Sequence, residues 1–113
     1  MVMPGKMGNS ASDSNLDRIK FIISELVPVT EIILFGSRAT GKSHIMSDYD
    51  LLVIVDHTIN LSERLVFQSK IRKKLAEENI LSDVIVQSRS DLDLKKNLPG
   101  HIVRTAYLEG VKI

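Results

Sequence analysis

Three short apolar runs, each of strand length, constrain the fold of this 113-residue chain most strongly. They are Glu31–Phe35, Tyr49–Val55 and Asp83–Val86, and they are rich in Val, Ile and Leu, which is typical of buried strands. The segments between them carry helical patterns, and the longest predicted helix covers Leu61–Asn79. The order of these elements predicts an α+β protein with a small, mostly three-stranded mixed sheet and helices packed on one face.

Helical signals also flank the predicted strands. Ser14, with Asp17 three residues later, resembles a capping box at the start of a first helix. The polar segment 91–97 is predicted to be a loop. A last helix is expected to begin near Ile102 and to end at Gly110, in the position that a helix C-cap favours.

The chain is predicted to form one domain behind a tail. Residues 1–13 are rich in Gly, Ser, Asn and Met without apolar periodicity, so they are expected to be a disordered tail, and residues 14–113 the domain. The start lacks the apolar core of a signal peptide, and no apolar run is long enough for a membrane helix. The expected location is therefore the cytoplasm, with no membrane partner.

Composition excludes several classes of function. The chain has no cysteine, which excludes a disulfide scaffold, a thiolate zinc site and a cysteine nucleophile. Its formal net charge is +1, and it has two tyrosines and no tryptophan. Since nonspecific nucleic-acid binding depends on positive charge and aromatic stacking, strong nucleic-acid binding is not expected.

One motif suggests a phosphate-binding P-loop. Residues 36–43 read Gly-Ser-Arg-Ala-Thr-Gly-Lys-Ser, which matches the P-loop pattern letter for letter after a predicted strand. However, the next strand is predicted to begin at Tyr49, six residues after Ser43. This gap is too short for the helix that must cross back over a parallel sheet. A P-loop nucleotidase that depends on Lys42 is therefore the less favoured alternative.

A second interpretation centres on carboxylates. Asp48 and Asp50 flank Tyr49 at the start of a strand, so the alternation of side chains places both on one face. Asp83 opens the next strand and joins them if the two strands are neighbours. Carboxylate oxygens are ligands that Mg²⁺ prefers, and three of them can hold two ions for in-line phosphoryl displacement.

A phosphate-binding turn is expected beside these carboxylates. Gly36 and Ser37 follow the first strand, where backbone N–H groups at the start of a short helix attract phosphate. Arg38 adds a guanidinium that can donate two hydrogen bonds to phosphate. The pattern of Gly-Ser, ten further residues, Asp-Tyr-Asp and a later Asp resembles the polymerase-β nucleotidyltransferase superfamily, and within it the minimal nucleotidyltransferases.

The resemblance covers roughly residues 31–86, and it implies a role for each matching residue. Gly36 and Ser37 would contact the β- and γ-phosphates of a nucleoside triphosphate. Asp48 and Asp50 would bind Mg²⁺, with two ions expected, and Asp83 would be the third carboxylate that helps to activate the attacking hydroxyl. The implied reaction is attack of an acceptor hydroxyl on the α-phosphate of ATP or another nucleoside triphosphate, with release of pyrophosphate.

The resemblance also implies a partner. Small nucleotidyltransferases of this kind commonly pair with a helical protein encoded nearby, and some act as antitoxins that transfer AMP to a tyrosine of that toxin. A homodimer is also compatible with the sequence. A catalytically idle subunit that neutralises its partner by contact alone is the main alternative to an active enzyme.

Overall fold

A computed structural model describes residues 14–40 and 48–113 of the chain. The tail predicted for residues 1–13, and Lys42 and Ser43 of the P-loop-like motif, lie outside the described residues. The described elements, in chain order, are α1 (Asn15–Leu26), β1 (Val29–Phe35), α2 (Ser37–Thr40), β2 (Tyr49–Val55), α3 (Leu61–Glu77), β3 (Ser82–Ser88), α4 (Arg89–Lys95), α5 (Ile102–Glu109) and β4 (Val111–Lys112).

The strands form one mixed sheet in the order β3-β2-β1-β4. β1 is antiparallel to both β2 and β4, whereas β2 and β3 are parallel and are connected through α3. The sequence predicted a mixed sheet with mostly three strands, and the structure adds β4 as a fourth. β4 has only two residues, Val111 and Lys112, and both are exposed, so no apolar run marked it.

Helices cover both faces of the sheet, and the prediction of a single covered face is wrong. Because side chains alternate along a strand, β1, β2 and β3 each present apolar residues to both faces of the sheet. Leu51 and Val53 pack in a core with residues of α1 and α3, such as Ile23 and Ile71. On the opposite face, Leu52 packs in a second core with residues of α4 and α5. We call these the α1/α3 face and the α4/α5 face.

The second covered face depends on α4, where the sequence predicted a loop. The Ser88 hydroxyl accepts a hydrogen bond from the Asp91 backbone N–H at 3.1 Å and so caps the helix. Leu92 is fully buried on the sheet, while most of the other residues of this short helix are polar. One buried leucine in seven residues gives no helical periodicity, which explains the missed helix.

α1 begins directly after Ser14 and α5 ends at Gly110, as predicted, but the capping box predicted at Ser14 is absent. The Ser14 side chain makes no capping hydrogen bond, so the capping box predicted there is wrong. Gly110 is the C-cap of α5, as expected, but its φ of −82° is accessible to any residue. Glycine is needed there for space, because an added Cβ would lie 2.4 Å from Ile33 Cγ2. None of the helices in the described part is both long and apolar enough to span a membrane.

The turn after α3 contains Asn79 in a left-handed conformation, with a φ of 63°. The Asn79 N–H donates to the Ala76 carbonyl and the Ile80 N–H donates to the Leu75 carbonyl, each at 2.9 Å. This pair of hydrogen bonds is a Schellman motif. The side chains of Ile80 and Leu75 are both buried beneath it, which directs the chain into β3.

Replacing Asn79 tests this turn. We expect Asn79→Ala to lower the free energy of unfolding by about 1 kcal/mol, because alanine adopts a left-handed conformation less readily than asparagine. Asn79→Gly is the matched control and should be at least as stable as the native chain. Urea denaturation measures both changes. Equal stability of the alanine and glycine variants would contradict this account of the turn.

Candidate active site

The functional residues meet at one end of the sheet. β1 ends there at Phe35, and β2 and β3 both begin there, because β1 is antiparallel to β2 and β2 is parallel to β3. In the register of the sheet, Asp50 lies between Phe35 on one side and Asp83 on the other. Directly paired residues share a face, so Asp50 and Asp83 lie on the α4/α5 face. β2 and β3 are therefore neighbours, which is the condition under which the sequence places Asp83 beside the other aspartates.

The aspartates interact electrostatically. Burial raises the pKa of the Asp50 carboxyl, and the negative charges of Asp83 and Asp48 raise it further. Asp48 and Asp83 are exposed, whereas Asp50 is half-buried between them. The end of the sheet therefore concentrates negative charge around one partly desolvated carboxylate, and a cation there would relieve this repulsion.

Gly36 makes room for the Asp50 carboxylate. It follows β1 directly and has a φ of +74°, a conformation that favours glycine. A Cβ at this position would lie 2.1 Å from Asp50 Oδ2, closer than van der Waals contact allows. The Gly-Ser turn predicted from the sequence is thus packed against one of the predicted metal ligands, and only glycine permits this approach.

Arg38 and Tyr49 form a contact that the sequence did not suggest. Arg38 Cζ lies 4.0 Å from the centroid of the Tyr49 ring, within the range of a cation–π interaction. The Tyr49 hydroxyl accepts a hydrogen bond from Asn15 Nδ2 at 3.3 Å. Tyr49 belongs to the core of the α1/α3 face, so its ring lies on the opposite side of β2 from Asp50.

Arg38 therefore contacts a ring on the opposite side of β2 from Asp50. The charges that raise the pKa of the Asp50 carboxyl are those of Asp83 and Asp48. The sequence carried no signal for the contact with Tyr49, because the two residues lie 11 positions apart on different elements. The phosphate-binding role predicted for Arg38 stays a prediction.

The chemistry of the donor set suits a hard divalent cation. Asp48, Asp50 and Asp83 offer only carboxylate oxygens, which Mg²⁺ prefers to nitrogen or sulfur. Across residues 14–40 and 48–113, however, no three His, Cys, Asp or Glu side chains are arranged so that they could hold one ion. The aspartates are nevertheless close enough for the charges of Asp83 and Asp48 to raise the pKa of the Asp50 carboxyl.

The strand directions do not suit the P-loop alternative. A P-loop joins a strand to a helix that crosses over to a parallel neighbour. Here the strand before the motif, β1, pairs antiparallel with β2, the strand that follows it. β2 therefore runs opposite to the parallel neighbour that a P-loop requires.

Comparison with solved structures gives the same fold. A toxin–antitoxin complex with AMP-PNP matches at 19% identity and a TM-score of 0.55, over 87% of this chain and 71% of the matched chain. A variant of the MntA–HpeT toxin–antitoxin matches at 19% identity and a TM-score of 0.55, over 89% and 72% of the two chains. A complex of the tri-AMPylated HEPN toxin of Shewanella oneidensis with an MNT antitoxin matches at 21% identity and a TM-score of 0.51, over 87% and 67%.

At these identities the likeness shows the fold alone. No curated protein matches the sequence significantly. The nucleotidyltransferase domain family, in contrast, matches residues 16–113, which include β1 to β4 and all three aspartates. The mixed sheet, the Gly-Ser turn and the family match agree, and the chain therefore belongs to the nucleotidyltransferase domain family, a class of enzymes that transfer nucleotides.

Proposed function

We propose that this protein transfers AMP from ATP to a hydroxyl group in a reaction that requires Mg²⁺. The observation that carries the proposal is the position of Asp50. It is half-buried, two other carboxylates act on it, and a Cβ at Gly36 would overlap its carboxylate. Such a cluster is costly without a cation and therefore has a functional explanation. Membership of the nucleotidyltransferase family supports the type of reaction.

Each residue has a proposed role in this reaction. Asp48 and Asp50 would hold Mg²⁺, with Asp83 as the third carboxylate, and two ions would be bound with the nucleotide. When bound, these ions neutralise charge on the entering and leaving oxygens of the displacement. Asp83, which is exposed at the start of β3, would help to activate the attacking hydroxyl by accepting its proton. Gly36 and Ser37 would contact the β- and γ-phosphates of the leaving pyrophosphate.

We propose a tyrosine of a helical partner protein as the acceptor, which would make this chain an antitoxin. Two features support the proposal. Chains of similar fold occur in toxin–antitoxin complexes, one of them with AMP-PNP and one with a tri-AMPylated toxin. The chain itself offers little to grip a nucleic-acid acceptor, since its net charge is +1 and one of its two tyrosines, Tyr49, is buried.

The acceptor can be tested directly. The protein is mixed with the product of the adjacent gene, Mg²⁺ and ATP, and the intact mass of both chains is measured. We expect one or more AMP units on the partner, at tyrosine, and none when Asp50→Asn replaces the native chain. An unmodified partner together with extension of an RNA 3′ end would contradict the proposed acceptor.

A catalytically idle subunit remains the second candidate. In this alternative the carboxylates take no part in catalysis, and the chain neutralises its partner by contact alone. An idle subunit would bind the partner equally well with or without Asp50. Co-purification of the Asp50→Asn variant with the partner, combined with absence of AMP transfer by the native chain, would favour this candidate over the enzyme.

A further inference from the structure

Three residues from different elements meet behind the proposed phosphate-binding turn. Arg38 belongs to α2, the four-residue helix that continues from Gly36 and Ser37. Its guanidinium lies 4.0 Å from the centroid of the Tyr49 ring, and the hydroxyl of that ring accepts a hydrogen bond from Asn15 at the start of α1. Tyr49 is 3% exposed, so the ring is held firmly by the core.

This arrangement ties the turn to the sheet from the side opposite the carboxylates. Side chains alternate along β2, so Tyr49 projects to the α1/α3 face while Asp50 projects to the α4/α5 face. The turn at Gly36 lies against the Asp50 carboxylate. Contact between Arg38 and the rigid Tyr49 ring on the α1/α3 face can therefore fix the backbone of this turn, which contacts Asp50 on the α4/α5 face.

We propose that Arg38 and Tyr49 form a brace that positions the Gly36–Ser37 turn for the nucleotide, with Arg38 acting through Tyr49 rather than as a phosphate ligand. This inference rests on the proposed function, in which the Gly36–Ser37 turn binds the triphosphate of ATP. Tyr49 and Arg38 are then positioning residues. The partly desolvated stack suits an arginine, whose planar guanidinium packs on aromatic faces.

The brace can be measured without nucleotide. The Ala39 N–H donates to the Gly36 carbonyl at 3.1 Å, so hydrogen exchange at Ala39 reports the order of the turn. We expect Arg38→Ala and Tyr49→Leu each to speed this exchange by about fivefold to tenfold, the range of a partly buried cation–π contact. The double variant should exchange no faster than either single variant, because both remove the same contact.

Two controls separate the brace from general destabilisation. Tyr49→Phe keeps the ring and should leave exchange at Ala39 close to that of the native chain. The Lys96 N–H, which donates to the Leu92 carbonyl in α4, should be unaffected in every variant. Unchanged exchange at Ala39 in Arg38→Ala, or effects that add in the double variant, would overturn the brace. If Tyr49→Leu does not fold, the result with Arg38→Ala decides.

Titration with Mg²⁺ and ATP links the brace to the site. When Tyr49 is present, we expect Arg38→Ala to weaken the binding of ATP with Mg²⁺ by about fivefold to tenfold. When Tyr49→Leu has already removed the ring, Arg38→Ala should weaken this binding no further. An equal loss in both backgrounds would show that Arg38 contacts phosphate independently and would overturn the inference. A chain that transfers no AMP would contradict the proposed function, while exchange at Ala39 would still test the brace.

Discussion

Asp50→Asn is expected to lower AMP transfer by at least about a hundredfold, since charge stabilisation by a bound metal ion is worth several kcal/mol in a transition state. Asparagine keeps the size of the side chain but removes the negative charge that would hold the cation. Asp48→Asn should show a loss of the same order. Initial rates of transfer, measured at saturating Mg²⁺, provide the test.

The same replacement should not destabilise the metal-free protein. Burial and the neighbouring aspartates raise the pKa of the Asp50 carboxyl in the folded state, so its ionisation opposes folding. At a pH below the pKa that Asp50 has in the unfolded chain, the carboxyl is protonated in both states and costs no stability. As the pH rises through the higher pKa of the folded state, the carboxyl ionises in the fold and stability is lost. Above that range, Asp50→Asn should unfold at a higher temperature than the native chain in EDTA, and the difference should shrink as pH falls.

Asp56→Asn is the matched control for Asp50→Asn. Asp56 follows the opposite end of β2 and is exposed, and it makes a surface contact of 3.6 Å with His57 Nδ1. This variant should keep both the activity and the stability of the native chain. Equal losses of activity in the two variants, or an active Asp50→Asn, would contradict the assignment of the site.

Gly36→Ala is expected to abolish most of the transfer and to destabilise the fold. The left-handed φ of +74° costs an alanine about 1–2 kcal/mol. In addition, the new Cβ would lie 2.1 Å from Asp50 Oδ2, so the carboxylate must move away from its position. Because activity depends on the placement of that carboxylate, we expect the rate to fall by about a hundredfold. Transfer assays and urea denaturation measure the two effects.

Gly100→Ala separates backbone strain from the contact with Asp50. Gly100 has a similar φ of +80°, but a Cβ there would meet no atom within 4 Å. We expect Gly100→Ala to lose stability by about 1–2 kcal/mol, as Gly36→Ala does through strain, and to retain native activity. If both variants lose activity equally, strain rather than the glycine–carboxylate contact explains the loss.

The sequence predicted the three longer strands well, for a physical reason. β2 is buried on both faces, so its seven residues form a nearly continuous apolar run with clear ends. The alternation of side chains then placed Asp48 and Asp50 together. Asp83 joined them only on the assumption that β2 and β3 are neighbours, which the parallel register confirms.

The features that the sequence missed depend on tertiary contacts. β4 is held by pairing of Lys112 with Ile33 in β1, and α4 by one buried leucine, Leu92, so neither has a local periodicity. The contact between Arg38 and Tyr49 joins residues on separate elements and has no sequence signature. The covering of the second face was missed as well, since the apolar residues of β2 do not show which face of the sheet each helix covers.

The most direct test of nucleotidyl transfer at this site follows ATP labelled at the α-phosphate, in parallel with ATP labelled at the γ-phosphate. With Mg²⁺ and the partner protein, we predict that the α-label becomes covalently attached to the partner while the γ-label leaves in pyrophosphate. EDTA or Asp50→Asn should prevent both the attachment of the α-label to the partner and the release of labelled pyrophosphate. Release of the γ-label as free phosphate without transfer of the α-label, in a reaction that survives Asp50→Asn and is abolished by Lys42→Ala, would contradict the account.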